Sequence, residues 1–339
     1  MITSEVKFEV SVCCMTYNQK DYIEDTLRGF TMQQTSFPYI CMVLDDASTD
    51  GEPELLRHFM DKNFDLTEQG GAKREETDNY NAVLCRHKDN QNCYFAVYWL
   101  KYNHYQQGKN LQKMEYYSAL MKSIKYTGFC EGDDFWISPD FLQTAVDFLE
   151  ENEDFSAVFG NKLVSNEKGE IFNKIEFKGG LTVHDIMRGR NMGIRNLIFR
   201  KECLYVEPFE DSFRDIHVYY KCAVCGKLKY FNQDFSVYRL TGKGVYSSLH
   251  EKEVIYTSYL HYYEFHKKTA FKYQKDCVNY QIRKLMGNMN NLSDFRYCCK
   301  LIWQFHVPSK MRYWWYIQYG TLMGIAHLRG LLRYNKKKV

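Results

Sequence analysis

Gly128-Phe-Cys-Glu-Gly-Asp-Asp-Phe-Trp136 decides how the rest of this chain reads. The apolar run Tyr126–Cys130 predicts a buried strand that ends in an acidic turn, Glu131-Gly-Asp-Asp134. Two adjacent carboxylates on a turn repel each other unless a cation lies between them. A hard divalent ion, Mg²⁺ or Mn²⁺, relieves that cost when carboxylates and phosphate oxygens share it. Gly132 lets the backbone turn closely beneath such an ion.

Upstream, the same grammar repeats. Phe8–Met15 is a mostly apolar strand ending at Thr16-Tyr17-Asn18, and Tyr39–Leu44 is another that runs into Asp45-Asp46-Ala-Ser-Thr-Asp-Gly51. Helical spacing of Tyr22, Ile23, Leu27 and Phe30 predicts a helix over 21–34, with others over 54–60 and 111–124. A third strand is expected over Asn81–Arg86. Strands alternating with helices imply a parallel sheet with right-handed crossovers. Such sheets bind ligands at the carboxyl ends of their strands, where these clusters fall. Taken singly, each cluster is also good turn or helix-cap chemistry, as Ser48 and Asp50 are.

Beyond Trp136 the pattern changes. Ser138-Pro139 opens a helix whose stripe is Phe141, Leu142, Ala145, Val146 and Leu149. Strands are expected over Ser156–Asn161 and Ile171–Ile175 around the turn Asn166–Gly169, then over Ile194–Arg200 and Lys229–Leu240, with a helix over Arg214–Cys225 between the last two. Long helices dominate from Glu251.

The three motifs Val10–Asn18, Val43–Gly51 and Gly128–Trp136, in that order, resemble the signature set of family-2 glycosyltransferases with the GT-A fold. Tyr238-Arg239 and Gly242–Gly244 are similar to the family's late loop, so the resemblance covers roughly residues 8–249. It implies a mostly parallel α/β sheet flanked by helices, with a C-terminal helical extension. The expected organisation is a catalytic domain over 1–249, with a nucleotide-binding half (8–136) and an acceptor half (137–249). A helical extension over 250–309 and a basic aromatic tail over 310–339 follow.

The resemblance also implies chemistry: inverting transfer of a sugar from a nucleotide-diphosphate donor, UDP-linked by expectation, with Mg²⁺ or Mn²⁺. The acceptor would be a glycan or a lipid-linked glycan of cell-surface polysaccharide synthesis. Thr16, Tyr17 and Asn18 would pack on the nucleobase, with Tyr17 as the stacking ring. Asp46 would accept from the base, and Arg86 would supply a basic contact. Asp133 and Asp134 would hold metal and ribose, Asp134 being the expected direct ligand. Asp215 would be the general base that deprotonates the acceptor hydroxyl; as a helix-start Asp it also suits the dipole. The chain departs from the family pattern at Thr241, where relatives often carry His, and at Arg214. His250 is the nearest substitute for the former. Residues 94–117 form an unusually aromatic segment.

Other classes weigh less. A sugar nucleotidyltransferase would need a Gly-rich basic loop after the first strand, and Met15–Asn18 is not one. A non-catalytic partner that keeps the fold is the remaining alternative. Of 339 residues, 45% are hydrophobic and 26% charged, which excludes disordered and fibrous classes. The net charge is +3, but residues 310–339 hold seven Lys and Arg and no acid, leaving −4 on the rest. That distribution argues against nucleic-acid binding and for a local anionic partner. Trp314, Trp315 and Tyr319 beside those charges suit an anionic membrane surface, contacted without crossing it. Met1–Val10 does not read as a signal peptide. The expected location is cytoplasmic, peripheral at the inner face of the membrane. Cys13, Cys41, Cys85 and Cys130 lie in apolar runs as small hydrophobes, and Cys222/Cys225 is a lone CxxC.

Overall fold

The computed structural model describes residues 3–207 and 214–242, with Phe265, Lys268 and Thr269. The chain divides into one unit of residues 1–248 with 265–280, and another of 249–264 with 281–339. The second unit lies outside the described residues. So do the expected tail, His250 and, but for those three residues, the expected helical extension.

In chain order the elements are β1 (Val10–Thr16), α1 (Ile23–Thr31), β2 (Tyr39–Asp45), α2 (Glu52–Asn63), β3 (Phe64–Asp65), β4 (Lys73–Glu76), β5 (Tyr80–His87), β6 (Cys93–Leu100), α3 (Asn110–Met121) and β7 (Tyr126–Phe129). They continue as β8 (Phe135–Trp136), α4 (Phe141–Glu151), β9 (Phe155–Phe159), β10 (Lys162–Ser165), β11 (Ile171–Ile175), α5 (Val183–Met187), β12 (Leu197–Arg200), α6 (Asp215–Cys225), β13 (Lys227–Tyr230) and β14 (Ser236–Arg239). A short 3₁₀ turn, Ile194–Asn196, precedes β12.

One large mixed sheet runs β13-β9-β12-β7-β1-β2-β6-β5-β3, with β4 beside β5. Its centre, β7-β1-β2-β6, is parallel throughout. The strand order switches sides at β1: β2 and β6 lie to one side, β7 to the other. That switch point is where an open α/β sheet forms a crevice at its carboxyl edge. The central strands are buried on both faces, as their apolar sequences require. One face carries α1, α2 and α4 on Val10, Val12, Cys41, Val43 and Phe95. On the other, Ser11 Oγ donates to Thr127 Oγ1 (2.9 Å) and to Met121 Sδ of α3.

Several expectations are corrected. The expected third strand, β5, is antiparallel to β6 at the edge of the sheet. Only five residues join β5 to β6, and a parallel partner needs a crossover of about a dozen or more. The third central strand is β6, which supplies the start of the aromatic segment. Ile194–Arg200 starts as a 3₁₀ turn before it becomes β12, and Lys229–Leu240 divides into β13 and β14, which belong to different sheets. The strand opposite Ile171–Ile175 is β10 rather than Ser156–Asn161, which enters the large sheet as β9.

A second sheet, β11-β10-β14-β8, stands beside the crevice. Its strand β8 follows directly after Asp134. Gly29 of α1 lets the helix ride on β8, because a Cβ there would lie 2.8 Å from Trp136 N. Trp136 meets Phe30 and Phe141 edge-on, each at 5.1 Å, and its Nε1 donates to Arg195 O at 2.8 Å.

Candidate functional site

The carboxyl ends of β1, β2 and β7 bring the three motifs into contact. Gly132 N–H donates to Met15 O, and Asp46 N–H to Thr16 O. A side chain at Gly132 would strike Thr16 and Gln19: its Cβ would lie 2.4 Å from Thr16 Oγ1. Close packing of two strand-end turns therefore requires glycine here.

Glu52, the first residue of α2, ties two of these turns together. It is fully buried and accepts from the Thr16 hydroxyl, from Gln19 N–H at 2.7 Å and from the Ser48 hydroxyl at 3.1 Å. Ser48 Oγ in turn accepts from Asn18 N–H at 2.9 Å, and Asn18 Oδ1 from Thr49 N–H at 2.8 Å. Asn18 adopts a positive φ of 53°, which its short polar side chain tolerates. Burial pushes the Glu52 carboxyl up to about 7, against the pull of the Thr16 and Gln19 hydrogen bonds. Tyr17, between these anchored residues, keeps its ring 38% exposed.

The acidic turn is a cluster of three. Oxygens of Glu131, Asp133 and Asp134 lie within 4.8 Å of one another, with Glu131 open, Asp133 half-buried and Asp134 buried. Asp134 is held from both sides. Its Oδ1 accepts from Arg239 N–H of β14 (2.9 Å), and its backbone O accepts from the Thr26 hydroxyl (2.6 Å). Its Oδ2 has no hydrogen-bond partner but lies 3.6 Å from Arg195 Nη1. Arg195 is itself buried, stacked on Tyr238 at 4.5 Å, with Nε and Nη2 unpartnered. Desolvation pushes Asp134 up to about 7 against the pull of Arg195. Glu131, whose residue is open to solvent while protein surrounds its carboxyl, goes up to about 8 by desolvation and then by the charges of Asp215, Asp134 and Asp133. Asp133 also rises, chiefly by desolvation. Crowded hard oxygen donors whose charges repel one another fit a divalent ion such as Mg²⁺ or Mn²⁺.

Asp215 opens α6 and joins the cluster. Its residue remains open to solvent, yet surrounding protein raises its carboxyl, offset first by Arg195 and then by the Tyr219 hydroxyl, 3.4 Å away. Lys162, the first residue of β10, is lowered to about 8 by burial and by Arg195, while the charges of Asp215 and Asp134 oppose that shift.

Thr16, Tyr17, Asn18, Asp46, Asp133, Asp134 and Asp215 thus lie at one end of the sheet, and Arg86 does not. Arg86 pairs with Tyr94 near the start of β6, while Asp45 pairs with Trp99 near its end. Because β5 runs antiparallel, Arg86 is on the opposite rim. Asp46 is on the right rim but only 2% exposed. Its Oδ1 accepts from His104 N–H (2.7 Å) and its Oδ2 from Tyr105 N–H (3.2 Å), so it anchors the turn after β6 instead of offering a free acceptor. Asp134 is the buried member of the acidic turn, Asp133 is half-buried and Glu131 is open. Sequence reasoning missed Glu52, which reads as an ordinary first-turn acid, and Arg195, hidden inside a strand-like run. Among the described residues all the cysteines are free and none belongs to a metal-ligand cluster.

Crystal structures of TarS residues 1–349 from S. aureus superpose with TM-scores of 0.55, in complex with UDP-GlcNAc, and 0.53, without ligand. Each covers 88% of this chain and 80% of that one at 14% identity. The fold is of the GT-A type. At that identity the likeness speaks for the fold alone. No known family profile matches the chain. Uncharacterized proteins of Mycobacterium bovis and Mycobacterium tuberculosis are 22% identical over 245 residues, 70% of this chain. The match spans 61% of the length of those relatives.

Proposed function

We propose that this protein is a glycosyltransferase that uses a nucleotide-diphosphate sugar and a divalent cation, with inversion at the transferred carbon. One observation carries the reading: the switch-point crevice gathers an exposed aromatic turn, three crowded carboxylates and a separate carboxylate at a helix start. TarS, of the same fold, binds UDP-GlcNAc, which makes a UDP-linked donor the first to try. Glu131 and Asp133 would hold Mg²⁺ or Mn²⁺, with Asp134 fixed behind them by Arg195 and Arg239. Bound there, the cation would neutralise charge on the leaving diphosphate. Desolvation raises the Asp215 carboxyl above its ordinary range, which makes its ionised form a stronger base. It would take the acceptor hydroxyl's proton as that oxygen attacks.

No helix among the described residues is long and apolar enough to cross a membrane. The basic, Trp-containing stretch 310–339 supports peripheral attachment to an anionic leaflet, which would suit a lipid-linked acceptor in surface-polysaccharide synthesis. The test is a thermal-shift and turnover screen of nucleotide diphosphates and their sugars with and without Mn²⁺. Mn²⁺-dependent stabilisation and release of a nucleoside diphosphate support the reading; the absence of both refutes it.

A further inference from the structure

The aromatic segment after β6 contains a turn whose construction is more elaborate than packing requires. Asn103 Nδ2 donates to Asp46 O (3.0 Å), and His104 and Tyr105 N–H donate to the Asp46 carboxylate. Gln106 N–H donates to Asn103 Oδ1 (2.8 Å), Lys109 N–H to His104 O (2.8 Å), and Gly108 N–H to Tyr105 O (3.1 Å). Gly108 has a φ of +69°, open to glycine without strain. His104 is buried, stacked flat on Tyr102 at 4.5 Å, with Nε2 2.8 Å from the Tyr116 hydroxyl. On this hydrogen-bonded frame the Tyr105 side chain is 54% exposed and makes no hydrogen bond among the described residues. An exposed ring on a fixed backbone does nothing for the core, but it lowers the ordering cost of binding a flat ligand.

Its position names the ligand. Asp46 N–H donates to Thr16 O, one residue before Tyr17, and Asp46 Oδ2 accepts from Tyr105 N–H. The two segments that carry exposed tyrosines therefore meet at a single residue. We propose that Tyr105 is a second aromatic contact for the nucleobase, working with Tyr17, and that Asp46 is the positioning residue that presents it. The proposal rests on the nucleotide-donor reading above. It replaces a polar base contact from Asp46 with stacking, which tolerates any base and selects for its presence.

The test compares affinities of wild type, Tyr105→Ala and Tyr105→Phe for UDP and for inorganic pyrophosphate, each with Mn²⁺, with GDP as a second nucleotide. Stacking on one aromatic ring corresponds to roughly a 5- to 150-fold loss of nucleotide affinity on truncation to Ala. Tyr105→Ala should show that loss, Tyr105→Phe should stay within about twofold of wild type, and pyrophosphate binding should be unchanged in both. Unaltered nucleotide affinity in Tyr105→Ala overturns the proposal and leaves the donor reading intact. Equal loss for pyrophosphate also overturns it, since the ring would then act on the cation side. A raised acceptor KM with unaltered nucleotide affinity would give the ring to the acceptor saccharide instead. Wild type that binds neither nucleotide overturns both readings.

Discussion

Arg195 Nη1 lies 3.6 Å from Asp134 Oδ2, with side chains only 5% and 1% exposed. This one cation faces a crowd of acids: it opposes the raised carboxyls of Asp134, Asp215, Asp133 and Glu131 together. It lets four carboxylates converge, and it divides them. Asp134 is kept by Arg195 and Arg239, while Glu131 is the open member of the cluster.

Removing Arg195 should therefore cost stability, since a buried charge is left without its partner. Arg195→Met should lose about 3–5 kcal/mol by denaturant unfolding at pH 8. At pH 5 Asp134 carries a proton and the loss should shrink. Arg195→Lys should recover part of it. An equal loss at both pH values would mean that the packing on Tyr238 matters and the charge does not.

Stability should also fall as pH rises. Asp134, Glu52 and Glu131 have folded values of about 7, 7 and 8, above their unfolded range. The folded state thus holds more protons than the unfolded one between roughly pH 4 and 8, so stability is full at the acid end and drains towards pH 8. Mn²⁺ needs the deprotonated cluster, so its stabilisation should grow over the same interval. Asp133→Asn should abolish that Mn²⁺ effect. Asp134→Asn should weaken it through geometry and keep part of it. Thermal melts from pH 5 to 8, with and without Mn²⁺, check all of this.

Asp215→Asn should leave nucleotide affinity nearly unchanged and reduce turnover by roughly 10²–10⁴, the usual contribution of a positioned base. Single-turnover rates with saturating donor read this directly. Loss of donor binding with turnover preserved would reassign Asp215 to a structural role at the start of α6.

Glu52→Ala leaves the Thr16 hydroxyl, the Gln19 N–H and the Ser48 hydroxyl without their acceptor, at about 1–3 kcal/mol for a buried donor left unpaired. The turns after β1 and β2 would no longer be tied together. Donor KM should rise more than kcat falls. Glu52→Gln, which keeps the shape and one acceptor oxygen, should lie between.

A chain ending near Pro308 should retain Mn²⁺-dependent UDP binding and lose co-sedimentation with anionic vesicles at low salt. Each basic residue near such a surface contributes about 1 kcal/mol, fading within a Debye length. Full-length protein that ignores the vesicles at low salt would refute the membrane reading.

The sequence by itself determined the central strands β1, β2 and β7 and the turns at their ends. Those strands are short apolar runs buried on both faces, and a polar turn after such a run is legible wherever it occurs. It determined that Gly132 must be small only in the sense of permitting a turn; the contact with Thr16 that demands glycine is long-range. It could not orient β5, because alternating residues look alike in either direction, and so Arg86 was assigned to the wrong rim. Nor could it find Arg195 or Glu52. Arg195 lies far along the chain from Asp134, as Glu52 does from Thr16 and Gln19, and a buried ion partner has no local pattern. Asp46 shows the limit most clearly. Its place on the rim follows from the motif, but the His104 and Tyr105 amides that occupy its carboxylate come from 58 and 59 residues away, brought there by the pairing of β6 with β2.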